Sequence, residues 1–465
     1  MPLNKGSELK AMLRLAGPLM ASQVAQMLMV LTDTLMMAKL SPQALAGGSL
    51  GAASYSFVSI FCIGVIAAVG TLISIRHGAE DNPGVSRLIQ GGLWLAWLLA
   101  LAGGLLLWNL PTLLLKLGQT PENVTHASEF LKILPLALPG FLSFMALRGF
   151  TSGVGRAGPV MVISLCATVV NAVFNYALIE GWYGLPRLGL MGIGLVTAVV
   201  AAGMAISLAL YIRWNSNYAA YSIRRGLGRP SWFTLMELWR LGLPIGGTYA
   251  VEVGLFAFAA LCMGTMGSTQ LAAHQIAMQL VSVAFMVPAG LSYAVTLRIG
   301  RHYGAGRLDL SLQAGRVGIG FGALLMLGFA LVFWLLPTVL VGLLLDLNDP
   351  NFRPVVELAL KLLAVAAWFE LFDGVQTIAM GAIRGLKDAK LTFLIGLGCY
   401  WLIGAPTAWL LAFTFGWGAV GVWWGLALGL ACAAITLTLA FEWRMKALRA
   451  LADTAIHQPS SASAI

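Results

Sequence analysis

Between Met12 and Arg444 the chain alternates long apolar stretches with short breaks of charge, proline or glycine. A bilayer crossing takes about 20 apolar residues, and only helices or closed barrels satisfy their backbone in lipid. Twelve stretches reach that length, at roughly 12–39, 45–75, 88–110, 126–148, 159–180, 189–213, 234–266, 271–301, 313–336, 354–383, 391–414 and 418–444. Composition agrees, with 59% hydrophobic residues against 10% charged. Soluble domains carry about a quarter charged residues. The spacing therefore predicts an all-α polytopic membrane protein with twelve transmembrane helices.

A net charge of +10 would suggest nucleic acid in a soluble chain. Topology explains it better here. With the N-terminus in the cytoplasm, the opposite side keeps only Lys39, Lys116, Lys132, Arg187, Arg353 and Lys361 of the 28 Lys and Arg. That bias follows the positive-inside rule, puts both termini in the cytoplasm, and makes Arg224, Arg225 and Arg229 topology signals and lipid contacts. No nucleic-acid partner is expected. The N-terminus runs straight into the first crossing, so no cleaved signal peptide is expected either.

The two halves repeat. LRLAGP from Leu13 matches LWRLGLP from Leu238, LAGGSL from Leu45 matches LAAHQI from Leu271, and RHGA from Arg76 matches HYGA from His302. All three share the spacing of Pro18 to Pro244. SGVGRAGPVM from Ser152 and RGLKDAKLTF from Arg384, then GLMGIG from Gly189 and GWGAVG from Gly416, recur at slightly larger spacings. The expected organisation is an N-terminal six-helix lobe (1–214), a cytoplasmic linker (215–233), a C-terminal six-helix lobe (234–446) and a disordered tail (447–465). An even number of helices per repeat implies a pseudo-two-fold axis along the membrane normal and a central cleft between two six-helix bundles.

Three carboxylates interrupt these apolar runs: Asp33, Glu252 and Asp373. A charge at mid-membrane costs roughly 2.5–3.5 kcal/mol on insertion scales, so such residues face protein or a water path. Asp33 has Gln26 two turns away on its face. Asn171 and Asn175, at i,i+4, project from one side of the fifth crossing. A carboxylate with two amides makes a hydrogen-bonded acid or an oxygen site for a small hard cation; the asparagines could equally serve as glue between helices. In the second repeat Glu252 has Thr248, Tyr249 and Phe256 nearby, while Asp373 shares a stripe with Phe369, Glu370, Gln376 and Thr377. Gln275 and Phe285 on the eighth crossing complete the candidate wall. An acid at this depth can load and release a proton; ionised, it could bind Na⁺, which makes Glu252 and Asp373 a candidate Na⁺ site.

Several chemistries have no footing. GxxxxGK[ST] and HExxH are absent, none of His77, His126, His274, His302 and His457 pairs with another at ligand spacing, and nothing argues for an enzyme. His274 reads as an interfacial or helix-end residue. The five cysteines fall singly in apolar runs and read as small core residues. Acids without Lys or Arg of similar depth favour a cationic substrate. Met27, Met29, Met36, Met263 and Met266, with the aromatics, would give it a soft, repackable wall.

These residues resemble the multidrug and toxic compound extrusion (MATE) family, in its bacterial NorM-type branch. The likeness lies in QMLMVLTDTLMMAKL around Asp33, YAVEVGLFAFAAL around Glu252, FDGVQTIAMGAIRGLKD around Asp373 and RGFTSGVGRAGPVM from Arg148. It implies export of organic cations in exchange for inward H⁺ or Na⁺, with no other cofactor, by a monomer in the bacterial inner membrane. Glu252 and Asp373 would couple the ion in one lobe, and Asp33 with Asn171 and Asn175 would form the polar cluster of the other. Phe369 stands where a tyrosine is expected, which removes one oxygen from a Na⁺ site near Asp373. A flippase for lipid-linked precursors is the alternative within the wider superfamily, and a channel is the rival from outside it.

Overall fold

The computed structural model describes residues 5–116, 121–181, 188–221, 228, 231–347 and 349–457, and every regular element among them is helical. The first repeat comprises α1 (Lys5–Leu40), α2 (Pro42–Gly78), α3 (Asn82–Lys116), α4 (Pro121–Ile133), α5 (Ala137–Gly153), α6 (Gly158–Glu180) and α7 (Gly189–Trp214). The second comprises α8 (Trp232–Met266), α9 (Ser268–Gly304), α10 (Leu308–Leu335), α11 (Pro337–Gly342), α12 (Arg353–Gly385), α13 (Ala389–Leu397), α14 (Ala405–Trp409) and α15 (Gly418–His457). Eleven spans among the described residues are long and apolar enough to cross a membrane, which makes this a multi-pass membrane protein. They match eleven of the twelve expected crossings. The remaining one, expected at 354–383, falls on α12, which has 33 residues and carries Glu370 and Asp373.

Local chemistry sets the boundaries. Ser41 caps α2, its hydroxyl accepting from the Ala44 amide at 3.0 Å, with Pro42 in the first turn. Asp81 accepts from the Gly84 amide at 2.8 Å where α3 begins. Pro135 sits in the 3₁₀ turn Leu134–Leu136 that divides α4 from α5 within one crossing. The expected crossing at 391–414 is also uneven, with π-helical segments at Gly398–Gly404 and Leu410–Thr414 on either side of α14.

Packing divides the chain into two compact units, Arg14–Gly254 and Met1–Leu13 with Leu255–Ile465. The border therefore runs through α1 and α8, whereas the sequence reading sets it at a linker over 215–233. Ion pairs explain part of this. Glu8, near the start of α1, receives two hydrogen bonds from Arg298 of α9, at 2.9 and 2.6 Å, with His302 at 3.6 Å. Near the start of α8, Glu237 lies 3.6 Å from Arg76 of α2. Close backbone contact does the rest: a Cβ on Gly242 would stand 2.3 Å from the Val65 carbonyl oxygen, and one on Gly64 would stand 2.5 Å from the Gly246 Cα. Only glycine admits that approach of α2 and α8.

Two further expectations change. Helix α15 continues to His457, so the first part of the predicted disordered tail is helical, and 458–465 lie outside the described residues. The linker arginines Arg224, Arg225 and Arg229, and Arg187, also lie outside them.

Candidate functional site

In the unit Arg14–Gly254, α1 brings Asp33 against α6 and α7. Asp33 Oδ1 accepts from Asn171 Nδ2 at 3.2 Å and Asn175 Nδ2 at 2.6 Å, and Oδ2 accepts from Thr197 Oγ1 at 3.1 Å. The i,i+4 spacing on α6 does this work, aiming both amides at one carboxylate; both asparagines are buried. Thr197 is not among the sequence candidates. Its only signal there is one hydroxyl in an apolar helix, and that hydroxyl also bonds the Ile193 carbonyl in its own helix at 2.9 Å. Asn175 Oδ1 in this cluster, and Gln26 Nε2 two turns before Asp33 on α1, are buried without hydrogen-bond partners among the described residues. Three donors can hold a carboxylate's charge, and replacing that charge by a proton would cost them their ionic partner.

Glu252 and Tyr249 of α8 belong to the same unit, and both are half-buried. The Tyr249 ring lies over the α2 backbone, where a Cβ on Gly64 would come within 2.9 Å of Tyr249 Cδ2.

The other unit holds Asp373, Gln376 and Phe369 on α12, all buried. Gln376 Nε2 donates to Asp373 Oδ1 at 3.0 Å, and the Tyr400 hydroxyl donates to Gln376 Oε1. Tyr400 comes from the π-helical segment Gly398–Gly404, and sequence reasoning missed it because a single tyrosine in an apolar crossing gives no spacing signal. Phe369 stands against Phe256 (centroids 6.0 Å apart) and Trp423 (5.4 Å), and Trp423 meets the His274 ring at 5.7 Å. Two of the expected aromatic residues are therefore together, joined by Trp423 and His274, which were not expected. His274, in the second turn of α9, is buried in the protein, and Gln275 next to it is exposed. One step of 100° along α9 separates these fates. Phe285 is half-buried on the same helix.

Among the described residues no three His, Cys, Asp or Glu side chains converge as a metal cage. Asp373 Oδ1 accepts from an amide N–H, a contact that belongs to a hydrogen-bonded acid and not to a Na⁺ shell. All five cysteines are free. Cys62, Cys262 and Cys399 are buried as expected, whereas Cys166 is exposed.

Fold and site together define a class: a multi-pass helical membrane protein with an internal repeat and, in each of its two compact units, a hydrogen-bonded carboxylate, half-buried at Asp33 and buried at Asp373. The MatE family profile matches residues 18–177 and 244–410, and the chain belongs to that family. Its relatives include the "Probable multidrug resistance protein NorM" of Pseudomonas putida, 72% identical over 442 residues, which span 95% of this chain and 96% of that protein. The protein of the same name in Pseudomonas aeruginosa is 63% identical over 437 residues, 94% of this chain and 90% of that one. Among solved structures the fold is similar to the eukaryotic MATE transporter AtDTX14, with TM-score 0.84 and 20% identity, over 96% of this chain and 99% of that one.

Proposed function

We propose that this protein is a secondary active multidrug efflux antiporter, which exports organic cations in exchange for inward H⁺ or Na⁺ across a bacterial inner membrane. The observation that carries the reading is Asp33 held by Asn171, Asn175 and Thr197, three neutral donors around a carboxylate inside a membrane protein. Such a group binds one monovalent cation at a time, whether the coupling ion or the charged substrate, and competition between the two is what an exchanger needs. Asp373 with Gln376, and Glu252 on α8, are the further ion-coupling acids in this reading. The names of the NorM relatives support multidrug export. Both termini face the cytoplasm and the protein acts as a monomer.

The driving forces are adequate. One charge crossing 100 mV is worth about 2.3 kcal/mol, and a pH unit adds about 1.4 kcal/mol. In a one-for-one exchange with a monovalent cation the charge terms cancel, and a pH unit sustains about a tenfold substrate gradient; a second ion per cation adds both terms, roughly several hundredfold more, since about 1.4 kcal/mol is a factor of ten.

The test uses purified protein in liposomes preloaded with ethidium, with an inward H⁺ gradient or an inward Na⁺ gradient imposed separately. Exit under one gradient alone establishes antiport and names the ion. No exit under either, with the protein correctly inserted, overturns the reading and turns attention to lipid-linked precursors as cargo.

A further inference from the structure

Glu370 lies one turn before Asp373 on α12, so the two carboxylates project from neighbouring positions on one face. It is fully buried, and neither of its carboxylate oxygens has a hydrogen-bond partner among the described residues. Its neighbour is differently placed: Asp373 takes the Gln376 amide at 3.0 Å. An anion stripped of water and of donors costs many kcal/mol, so this carboxylate needs a cation of its own. Two such groups side by side cannot both stay ionised, and one proton between them removes the conflict.

The surroundings of Glu370 can be followed element by element. On α10, which runs opposite to α12, Gly374 packs on Met326 and Ile378 on Gly322, which sets Glu370 level with the second half of α10. The charged residues of α10, Asp309 and Arg316, are in its first half. On α9, Ser292 bonds the Thr377 carbonyl and Thr296 that of Gly381, so Arg298, Arg301 and His302 lie beyond the far end of the pair. Arg298 is in any case taken by Glu8. On α15, Trp423 stands opposite Phe369, and Glu442 and Arg444 are near the other end, where Arg444 pairs with Asp388. The stretch Leu255–Met266 of α8 has Cys262 as its one titratable side chain, α11 has none, and Lys390 of α13 follows the end of α12. His274 meets Trp423, which meets Phe369, and Tyr400 bonds Gln376. Asp373 is therefore the charged group that Glu370 meets.

A metal ion fits this place poorly. Gln376 turns its amide nitrogen, not its oxygen, toward Asp373 and gives the oxygen to Tyr400, while Phe369 offers no oxygen at all. We infer that Glu370 and Asp373 form an acid pair that holds a single proton between them, with Glu370 as a proton-binding residue of the second repeat. The inference rests on the antiport reading for its purpose and deepens it, naming the proton as the ion that this unit handles. The proton sits on one carboxyl of the pair, so that a single negative charge remains, and leaves as water gains access.

The experiment is infrared difference spectroscopy on the purified protein through a pH titration, with and without ¹³C-labelled glutamate. The expected result is a protonated-carboxyl band that shifts with the glutamate label, persists in Glu252→Gln, and is lost in Glu370→Gln. In Asp373→Asn the same band should move along the pH axis. A wild-type spectrum with no label-sensitive titrating band overturns the inference without needing a variant to fold, as does a band unchanged in a folded Glu370→Gln. The outcome is separable from that of the liposome assay. Export under an H⁺ gradient with no such band refutes the Glu370 assignment alone, and the band without export refutes antiport alone.

Discussion

Two ion pairs in the unit that contains α9 and α15 have almost the same geometry and very different surroundings. Arg298 bonds Glu8 through two nitrogens at 2.9 and 2.6 Å, with side-chain exposures of 16% and 2%. Arg316 bonds Glu442 in the same forked manner, at 2.7 Å twice, with exposures of 60% and 27%. If burial sets the worth of a pair, removing one partner should separate them. Glu8→Gln leaves Arg298 with its charge uncompensated, which costs about 3–5 kcal/mol. Glu442→Gln returns a well-solvated Arg316 to water and costs about 1 kcal/mol or less. At about 1.4 kcal/mol per factor of ten, the first change raises the unfolding constant by two to three orders of magnitude and the second by less than one. Reversible unfolding of each variant in mixed detergent micelles, with the Arg298→Met and Arg316→Met partners to close both double-mutant cycles, measures this. Equal costs, or equal coupling energies, would refute burial as the deciding factor.

Under the antiport reading, Asp373→Asn and Glu252→Gln should insert and fold yet export no ethidium; full export by both removes those acids from the coupling role. In the Asp33 cluster, Asn175→Ala loses a 2.6 Å bond to an acid and should cost about 1.5–3 kcal/mol, with Thr197→Val, at 3.1 Å, costing less in the same unfolding assay. The reverse order would contradict the geometry. Gly242→Leu should prevent assembly, because its first side-chain carbon meets the Val65 carbonyl, whereas Gly264→Ala meets nothing within 4 Å and should stabilise α8 by about 0.5–1 kcal/mol. Size-exclusion profiles and melting of the two variants check that contrast.

Periodicity and length were enough to read the crossings, because lipid allows an apolar helix few alternatives. The first acid cluster was also legible, since Asn171 and Asn175 announce a shared face and Asp33 is the costly residue that needs one. What tertiary contact alone decides was hidden. Thr197 and Tyr400 are single polar residues whose direction depends on how α7 and the π-helical turn are rotated. Glu370 looked like a companion of Asp373 on a stripe; its isolation became visible only when each neighbouring helix was in place. Gln275 and His274 differ in burial because adjacent residues on α9 point a quarter turn apart, and sequence cannot set the rotation of a helix that is apolar all round. The division into units was hidden too, because the repeats mark where the chain was duplicated and not where it packs.

The exchange of helix beginnings between the two halves has a consequence for biosynthesis. Glu8 leaves the ribosome well before its partner Arg298, which lies 290 positions later. At elongation rates of about 5–20 residues per second, that is a wait of roughly 15–60 s. Throughout that interval the start of the chain holds a carboxylate whose binding site has not been made. The stretch Arg14–Gly254 is likewise incomplete until the first turns of α8 have been inserted. Neither half can mature alone, so the protein is finished as a whole, with the early-made α1 among the last segments to be secured.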